Sequence, residues 1–370
     1  MRADVEVTSR MLSLLVPAAH ALPSNTEYLA HLDIAAGDGS LIRLASNENT
    51  ELPSPHVREA LERSYTDANL SPPARPLLRT VLAERYGLSP DGVLLGAGST
   101  EVIDATLRAF VRAGDEVVLP RPTWPVFSRR LVALEARIVE VPLRSDELAY
   151  AFDVDALLAA VTERTKLIVI CSPNNPTGNS MSLADLRRCA GLGLPLLLDA
   201  AYADFDQETD PTQLVGEYDN LILSRTFSKA YCLAGLRIGY IVGDPRILDY
   251  VDRFLVPGSS VSSAGLHAGL AALEDDDYHR AQVARIVAAR DRLVLAVRAL
   301  GFRAYDSSAN FVAVDASSHA RGAEGLAAEL LERGILVRPL GEGIVRITVG
   351  RDHENEAVLG ALGGLRRAAR

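Results

Sequence analysis

Four short segments combine residue types that can do chemistry. Ser224-Arg225-Thr226-Phe227-Ser228-Lys229-Ala230 is followed closely by Gly235-Leu236-Arg237-Ile238-Gly239. A lysine amine forms a Schiff base with a carbonyl once desolvation and nearby cations lower its pKa. Thr226, Ser228 and Arg237 supply two hydroxyls and a guanidinium suited to a phosphate, whereas a lone lysine after a serine is ordinarily a solvated side chain. Asp199 directly follows Pro195-Leu196-Leu197-Leu198 and stands three positions before Tyr202. A carboxylate at the end of a buried run is costly unless a cation or donors meet it, so Asp199 either caps a helix or faces a protonated heterocycle. In Ser172-Pro173-Asn174-Asn175-Pro176-Thr177-Gly178 two prolines and a glycine fix a loop, and an asparagine amide held there can donate to an anionic oxygen. Gly96-Ala97-Gly98-Ser99-Thr100-Glu101 offers glycines that let backbone approach a phosphate and a helix start with free N–H groups. An ordinary strand-to-helix turn reads the same way, and a dinucleotide fingerprint would need a third glycine where Glu101 stands.

These segments need a scaffold, and apolar runs at 93–95, 116–119, 166–170, 196–198, 220–223 and 238–242 alternate with longer stretches of helical period. Near-continuous apolar runs of that length indicate strands buried on both faces of a largely parallel sheet. Gly96, Pro120, Ser172, Asp199 and Ser224 follow the runs at once or within a residue. Ligands of open parallel sheets bind at those carboxyl ends, which locates a candidate site on topology alone. Beyond residue 244 the pattern changes to helices over 244–254 and 275–300, strand-like pieces at 311–314, 334–337 and 344–348, and a last helix over 353–367. The reading is an α/β fold in which a large domain with a mostly parallel central sheet flanked by helices is joined to a smaller α+β domain. The expected division is an N-terminal arm over 1–45, the large domain over 46–256 and the small domain over 257–370, with the boundary near Pro257-Gly258-Ser259-Ser260. Adjacent prolines make Asn69-Leu70-Ser71-Pro72-Pro73 a loop.

A chain of 370 residues with 48% hydrophobic content can bury a large core. Its net charge of −10, with 48 acidic and 38 basic residues intermixed, speaks against nucleic-acid binding. Three cysteines, Cys171, Cys189 and Cys232, are too few for a disulfide framework and suit a reducing compartment. The apolar stretch over 11–22 is interrupted by Pro17 and His20, and Asp4 and Glu6 precede it, unlike a secretory signal. No run is long enough to span a membrane, so a cytoplasmic location is expected. No metal is expected either: His353 lacks a second histidine four residues on.

Taken together, Ser172 to Gly178, Asp199-Ala200-Ala201-Tyr202, Ser228-Lys229 and Arg237 resemble the fold type I aminotransferases, class I/II, and most closely the histidinol-phosphate aminotransferase branch. The likeness runs from Leu44-Ala45-Ser46-Asn47-Glu48-Asn49 to Val345-Arg346-Ile347-Thr348-Val349-Gly350. It implies pyridoxal 5'-phosphate as cofactor, attached through Lys229, which also moves the proton, with Asp199 on the pyridine nitrogen and Asn175 and Tyr202 at the phenolic oxygen. It further implies a phosphate site from Thr226, Ser228, Arg237 and the backbone at Ala97, Gly98 and Ser99, with Trp124 stacked on the ring. Tyr65 matches a tyrosine that reaches the facing subunit's phosphate site, which implies a homodimer. Arg346 matches the arginine that grips the substrate's anionic group, with Asn310 and Arg338 beside it.

The implied reaction moves an amino group between an amino acid such as glutamate and a keto acid or other carbonyl substrate. A lyase or decarboxylase on the same site is the alternative, because one scaffold hosts several such chemistries. The sequence departs from the histidinol-phosphate pattern in its arm, which reads Leu22-Pro23-Ser24-Asn25. It departs again at Asn49-Thr50-Glu51-Leu52, at Trp124 where tyrosine is more usual, and in the longer stretch over 67–78. The substrate is therefore less closely specified than the cofactor.

Overall fold

The computed structural model describes residues 11–70, 75–257, 261–341 and 343–368. Residues 258–260 of the expected domain boundary and 71–73 of the proline-rich loop lie outside that set.

Seven strands form the large sheet: β1 (Val93–Ala97), β2 (Glu116–Arg121), β3 (Arg137–Pro142), β4 (Thr165–Cys171), β5 (Leu196–Asp199), β6 (Leu221–Thr226) and β7 (Ile238–Val242). Their spatial order is β1-β7-β6-β5-β4-β2-β3. Only β7 is antiparallel to its neighbours, and the remaining pairs are parallel. The continuous apolar runs have the cause expected of them. Along β4, Leu167, Val169 and Cys171 enter one core while Ile168 and Ile170 enter the core on the opposite face, as the two-residue period of a strand requires. The strand β3 escaped the sequence reading because it lies at the sheet edge and is only partly buried.

A second sheet, antiparallel throughout, has the order β8-β9-β11-β10, with β8 Arg303–Ala304, β9 Phe311–Asp315, β10 Arg338–Leu340 and β11 Ile344–Thr348. The piece expected at 334–337 does not join it. Ile335 and Leu336 pair instead, in parallel, with Ile42 and Arg43 of the arm.

Six helices matter below: α1 (Asn25–Gly37), α2 (Ser99–Phe110), α3 (Pro125–Ala133), α4 (Ser263–Glu274), α5 (Asp276–Ala299) and α6 (Asp352–Ala368). The sequence reading did not foresee α4, whose small residues hide its period. Its Leu266, Ala268, Ala271, Ala272 and Leu273 join the core of the large sheet, although they lie beyond residue 257. The core of the second sheet takes up Ile286 and Leu293 of α5, and also Leu44 of the arm. Past residue 257, α4 therefore packs into the core of the large sheet and α5 into that of the second, which also takes in Ala201, Tyr202 and Phe205. No helix among the described residues is long and apolar enough to cross a membrane.

One contact between elements depends on a missing side chain. At Gly239 in β7 a Cβ would collide with the Ser99 nitrogen and the Gly98 carbonyl carbon at the start of α2. Gly239→Ala should therefore destabilise the protein by about 1–3 kcal/mol, the usual cost of overpacking. Gly360→Ala in α6, where nothing lies within 4 Å, should stabilise it by up to about 1 kcal/mol through helix propensity. Urea unfolding of both variants checks the pair.

Candidate active site

A cavity of about 860 Å³ opens at the carboxyl ends of the parallel strands, and its wall includes Lys229, Asp199, Tyr202, Asn175, Trp124 and Arg346. Each is placed by backbone that has little freedom. Lys229 lies three residues past β6 in a loop closed by Phe227 N–H to Ile238 O (3.0 Å) and Leu233 N–H to Phe227 O (3.1 Å), with the Phe227 ring fully buried. Its Nζ donates to Ser46 O at 3.1 Å and lies 5.8 Å from the centre of the Tyr202 ring. Burial pulls the amine down to about 7, Arg346 and Arg237 add to the fall, and Glu48 and Asp199 oppose it.

Asp199 is the last residue of β5, in register with Ser224 of β6. Burial raises its carboxyl to about 7 against the Ala201 N–H, the Ser224 hydroxyl at 3.4 Å and Lys229. It does not cap an α-helix, since the next element is a 3₁₀ turn over Ala203–Phe205 whose N-cap is Tyr202.

Tyr202 is buried with its ring edge-on to Phe311 at 5.2 Å. Its hydroxyl accepts from Asn47 Nδ2 (3.0 Å) and Asn175 Nδ2 (3.3 Å). The orientation of the Asn175 amide is set by its other contact. Arg346 Nη1 donates to Asn175 Oδ1 at 2.7 Å, and a guanidinium has only donors. Asn174, by contrast, is committed to the loop: Thr123 donates to its Oδ1, and its Nδ2 donates to Pro122 O and Thr177 Oγ1. Gly178, at φ +81°, ends this loop where a Cβ would strike Ser307, and Ser308 N–H donates to Gly178 O.

At the other end of the cavity Thr226, Ser228, Arg237 and Ser99 converge. Thr226 Oγ1 donates to Ser228 Oγ at 3.0 Å and accepts from Ser228 N–H at 3.1 Å, and Arg237 Nη1 lies 3.5 Å from Ser228 Oγ. Gly98 precedes α2 at φ +77°, and a Cβ there would occupy the place of the Arg237 guanidinium. Thr100 also faces the cavity, whereas Ala97 N–H donates to Glu101 Oε2 at 2.7 Å. Trp124 stands at the N-cap of α3, edge-on to Phe127.

Arg346 and Arg338 are directly opposite each other across β11 and β10, and both side chains reach the cavity. Arg338 also contacts His31 of α1, and His31 Nε2 lies 3.0 Å from Ser46 Oγ. Asn310 is not in the wall: fully buried, it donates to Asn47 O at 3.1 Å. Tyr65 is 83% exposed and stands apart from the cavity of its own chain.

The sequence reading missed the role of the strap over 44–47. Four successive carbonyls accept hydrogen bonds: Leu44 O from Thr348 N–H, Ala45 O from Arg346, Ser46 O from Lys229 and Asn47 O from Asn310. Asn47 adopts φ +52°, a left-handed conformation that asparagine tolerates. A compositional signal was also present. Among the 38 basic residues only Lys166 and Lys229 are lysines, and Lys166 is exposed. Among the described residues no group of histidine, cysteine, aspartate and glutamate could hold a metal ion.

Residues 40–362 match the family model described as aminotransferase class I and II. The chain is 35% identical to histidinol-phosphate aminotransferase 2 of Caulobacter vibrioides, over 94% of this chain and 93% of the relative. It is 37% identical to an aromatic amino acid aminotransferase of Rhodococcus opacus, over 86% and 88%. Among solved structures it resembles histidinol-phosphate aminotransferase from Sinorhizobium meliloti in complex with pyridoxal-5'-phosphate, with a TM-score of 0.85, 28% identity, and coverage of 97% and 99%.

The depressed amine has a testable consequence for stability. Between about pH 7 and 10.5 the unfolded chain carries a proton on Lys229 that the folded chain does not. Stability therefore rises with pH through that window, and the penalty is fully present below it. In the ligand-free protein Lys229→Met should be more stable than the parent near pH 7, and the advantage should close by about pH 10. Urea titrations across this range measure it, and an advantage independent of pH would mean the amine is not desolvated.

Proposed function

The chain belongs to the class I and II aminotransferases, and on that premise we propose that it exchanges an amino group between glutamate and a carbonyl compound bearing an anionic group, with pyridoxal phosphate as cofactor. The observation that carries this reading is the meeting of a buried amine poised near neutrality, a buried carboxyl and a hydroxyl–guanidinium cradle in one cavity.

The residues fit the cofactor. Asp199 is a desolvated carboxyl for which a pyridinium nitrogen would be the compensating cation. Thr226, Ser228, Arg237 and the start of α2 suit its phosphate, with Gly98 leaving room for the Arg237 guanidinium and Gly239 letting the start of α2 approach β7. Lys229 would hold it covalently, because an amine brought down to about 7 is in substantial part a free nucleophile near neutral pH. When bound, pyridoxal phosphate supplies an electron sink for the bond broken at the amino carbon.

The chain's own groups then have separable tasks. Once a substrate amine has displaced it from the cofactor, Lys229 Nζ would be free to take and return the proton at the reacting carbon, at a basicity suited to working near neutral pH. Tyr202 accepts from two amides, so its own O–H proton would be available to the phenolic oxygen of the cofactor. Trp124 offers the ring face. Arg346, held by Asn175 and Ala45 O, presents a fork to a carboxylate. Arg338 stands opposite it, and like charges placed so repel. An anion between them turns that cost into attraction, which favours partners with phosphate or a second carboxylate. Asn310 serves from behind through Asn47.

We further read the enzyme as a homodimer in which the exposed Tyr65 reaches the facing chain's phosphate site. A cytoplasmic setting suits its three free cysteines.

Borohydride reduction and peptide mapping should leave the pyridoxyl group on Lys229, with glutamate converting the cofactor stoichiometrically to its pyridoxamine form. An adduct elsewhere would overturn the assignment. Inertness toward every amino donor, with carbon dioxide or ammonia released from another amino acid, would favour a lyase or decarboxylase. Loss of a desolvated ion pair costs about 2–5 kcal/mol. Arg346→Ala should therefore lower kcat/KM at least about thirtyfold, and a change below about threefold would remove Arg346 from substrate binding.

A further inference from the structure

A buried charge cluster lies behind the wall of the site. Arg225 stands between Ser224 and Thr226 on β6, so strand alternation sends its side chain to the opposite face. There its Nη2 donates to Asp204 Oδ1 at 2.8 Å, with both side chains 11% exposed. His279 in the first turn of α5 places Nε2 3.5 Å from the same oxygen, and its ring stacks on Tyr231 at 4.0 Å with the planes 13° apart. Farther along α5, the buried Arg290 donates to Phe205 O at 3.1 Å, so this helix grips the turn over 203–205 twice. Phe227 closes the cluster, packing on Tyr231 at 4.9 Å and on Tyr240 at 5.8 Å.

The placement of these residues along the chain is the informative feature. Asp204 is two residues from Tyr202, Arg225 is adjacent to Thr226, and Tyr231 is two residues from Lys229. Each of these three wall residues therefore has a neighbour anchored in one cluster, and that cluster is fastened to α5. An apolar pair of similar volume would stabilise a fold as well as a buried ion pair, whereas one charge left alone there is expensive. What the charges add is fixed relative geometry. We propose that Asp204, with Arg225, Tyr231 and His279, is a positioning device that sets Tyr202, Thr226 and Lys229 for the cofactor and links that setting to the docking of α5. Asp204 and its partners touch none of the reacting atoms; they act through the residues they hold.

The inference rests on the pyridoxal phosphate reading above, and its test separates the two. Pyridoxal phosphate affinity, the pH midpoint of the bound cofactor's visible band and the melting temperature of the cofactor-free protein are measured for the parent, Asp204→Asn and the double variant Asp204→Leu/Arg225→Met. Asp204→Asn should lower the melting temperature and weaken affinity at least about tenfold. The double variant removes the unpaired charge, so it should recover most of the melting temperature while affinity stays about tenfold weak and the band midpoint remains shifted. Recovery of affinity to within about twofold in the double variant, or unchanged affinity in a folded Asp204→Asn, would reduce the cluster to a stabilising role and overturn the proposal. Should neither variant fold, His279→Phe keeps the ring on Tyr231 and removes one partner of Asp204. It should weaken affinity about threefold and shift the midpoint, and no change in either overturns the proposal. A parent that fails to bind pyridoxal phosphate removes the earlier reading and this one together.

Discussion

An amine enclosed in one cavity with several guanidinium groups is the constraint around which this structure is arranged. Lys229 shares its cavity with Arg346 and Arg237, and burial alone already disfavours its charged form. Such a group is tolerable only if the backbone around it is held firmly enough that the side chain cannot retreat to solvent. The loop from Phe227 to Leu236 does this by closing onto β7, and Ser46 O meets the amine from the opposite side. Asp199 carries the complementary strain: a carboxyl at the end of a fully buried strand, raised by the same desolvation. One low-dielectric cavity thus brings an acid and a base toward the same pKa from opposite directions, the condition under which both can change protonation near neutral pH.

Much of this was legible beforehand because the sheet writes itself plainly. Runs such as 167–170 and 196–198 are apolar at every position because each face of the sheet has its own core, and the polar residue that ends each run falls at the open edge. What escaped the sequence had other causes. Strand β3 is an edge strand with mixed exposure. Helix α4 is built from glycine and alanine, which let it approach Leu236 O and Leu78 closely but leave a weak apolar stripe. The short strand at Ile335 and Leu336 pairs with the arm some three hundred positions away, and no local pattern records that.

For the site, chemistry-bearing side chains were easier to find than the groups that support them. Lys229, Asp199, Asn175 and Tyr202 announce themselves by type and spacing, and all reach the cavity. Asn47 acts through a left-handed backbone and an amide on Tyr202, and Asn310 acts only through Asn47. Their meaning depends on contacts across more than 150 residues, which composition cannot reveal. The near absence of lysine was informative in a different way. In a chain that uses arginine almost everywhere a cation is wanted, Lys229 is one of two lysines and the one of the pair that lines the cavity, and an amine, unlike a guanidinium, can be deprotonated there.

The strap over 44–47 is held to the molecule by its carbonyl oxygens, four in succession, as well as by the side chains of Leu44, Ser46 and Asn47. Every amino acid carries a carbonyl, so the backbone part of this attachment does not depend on which residue bears it. Ser46 and Glu48 face the cavity from a fixed rail. Substitution at those two positions would alter the chamber's surface while leaving in place the backbone carbonyls that hold its frame.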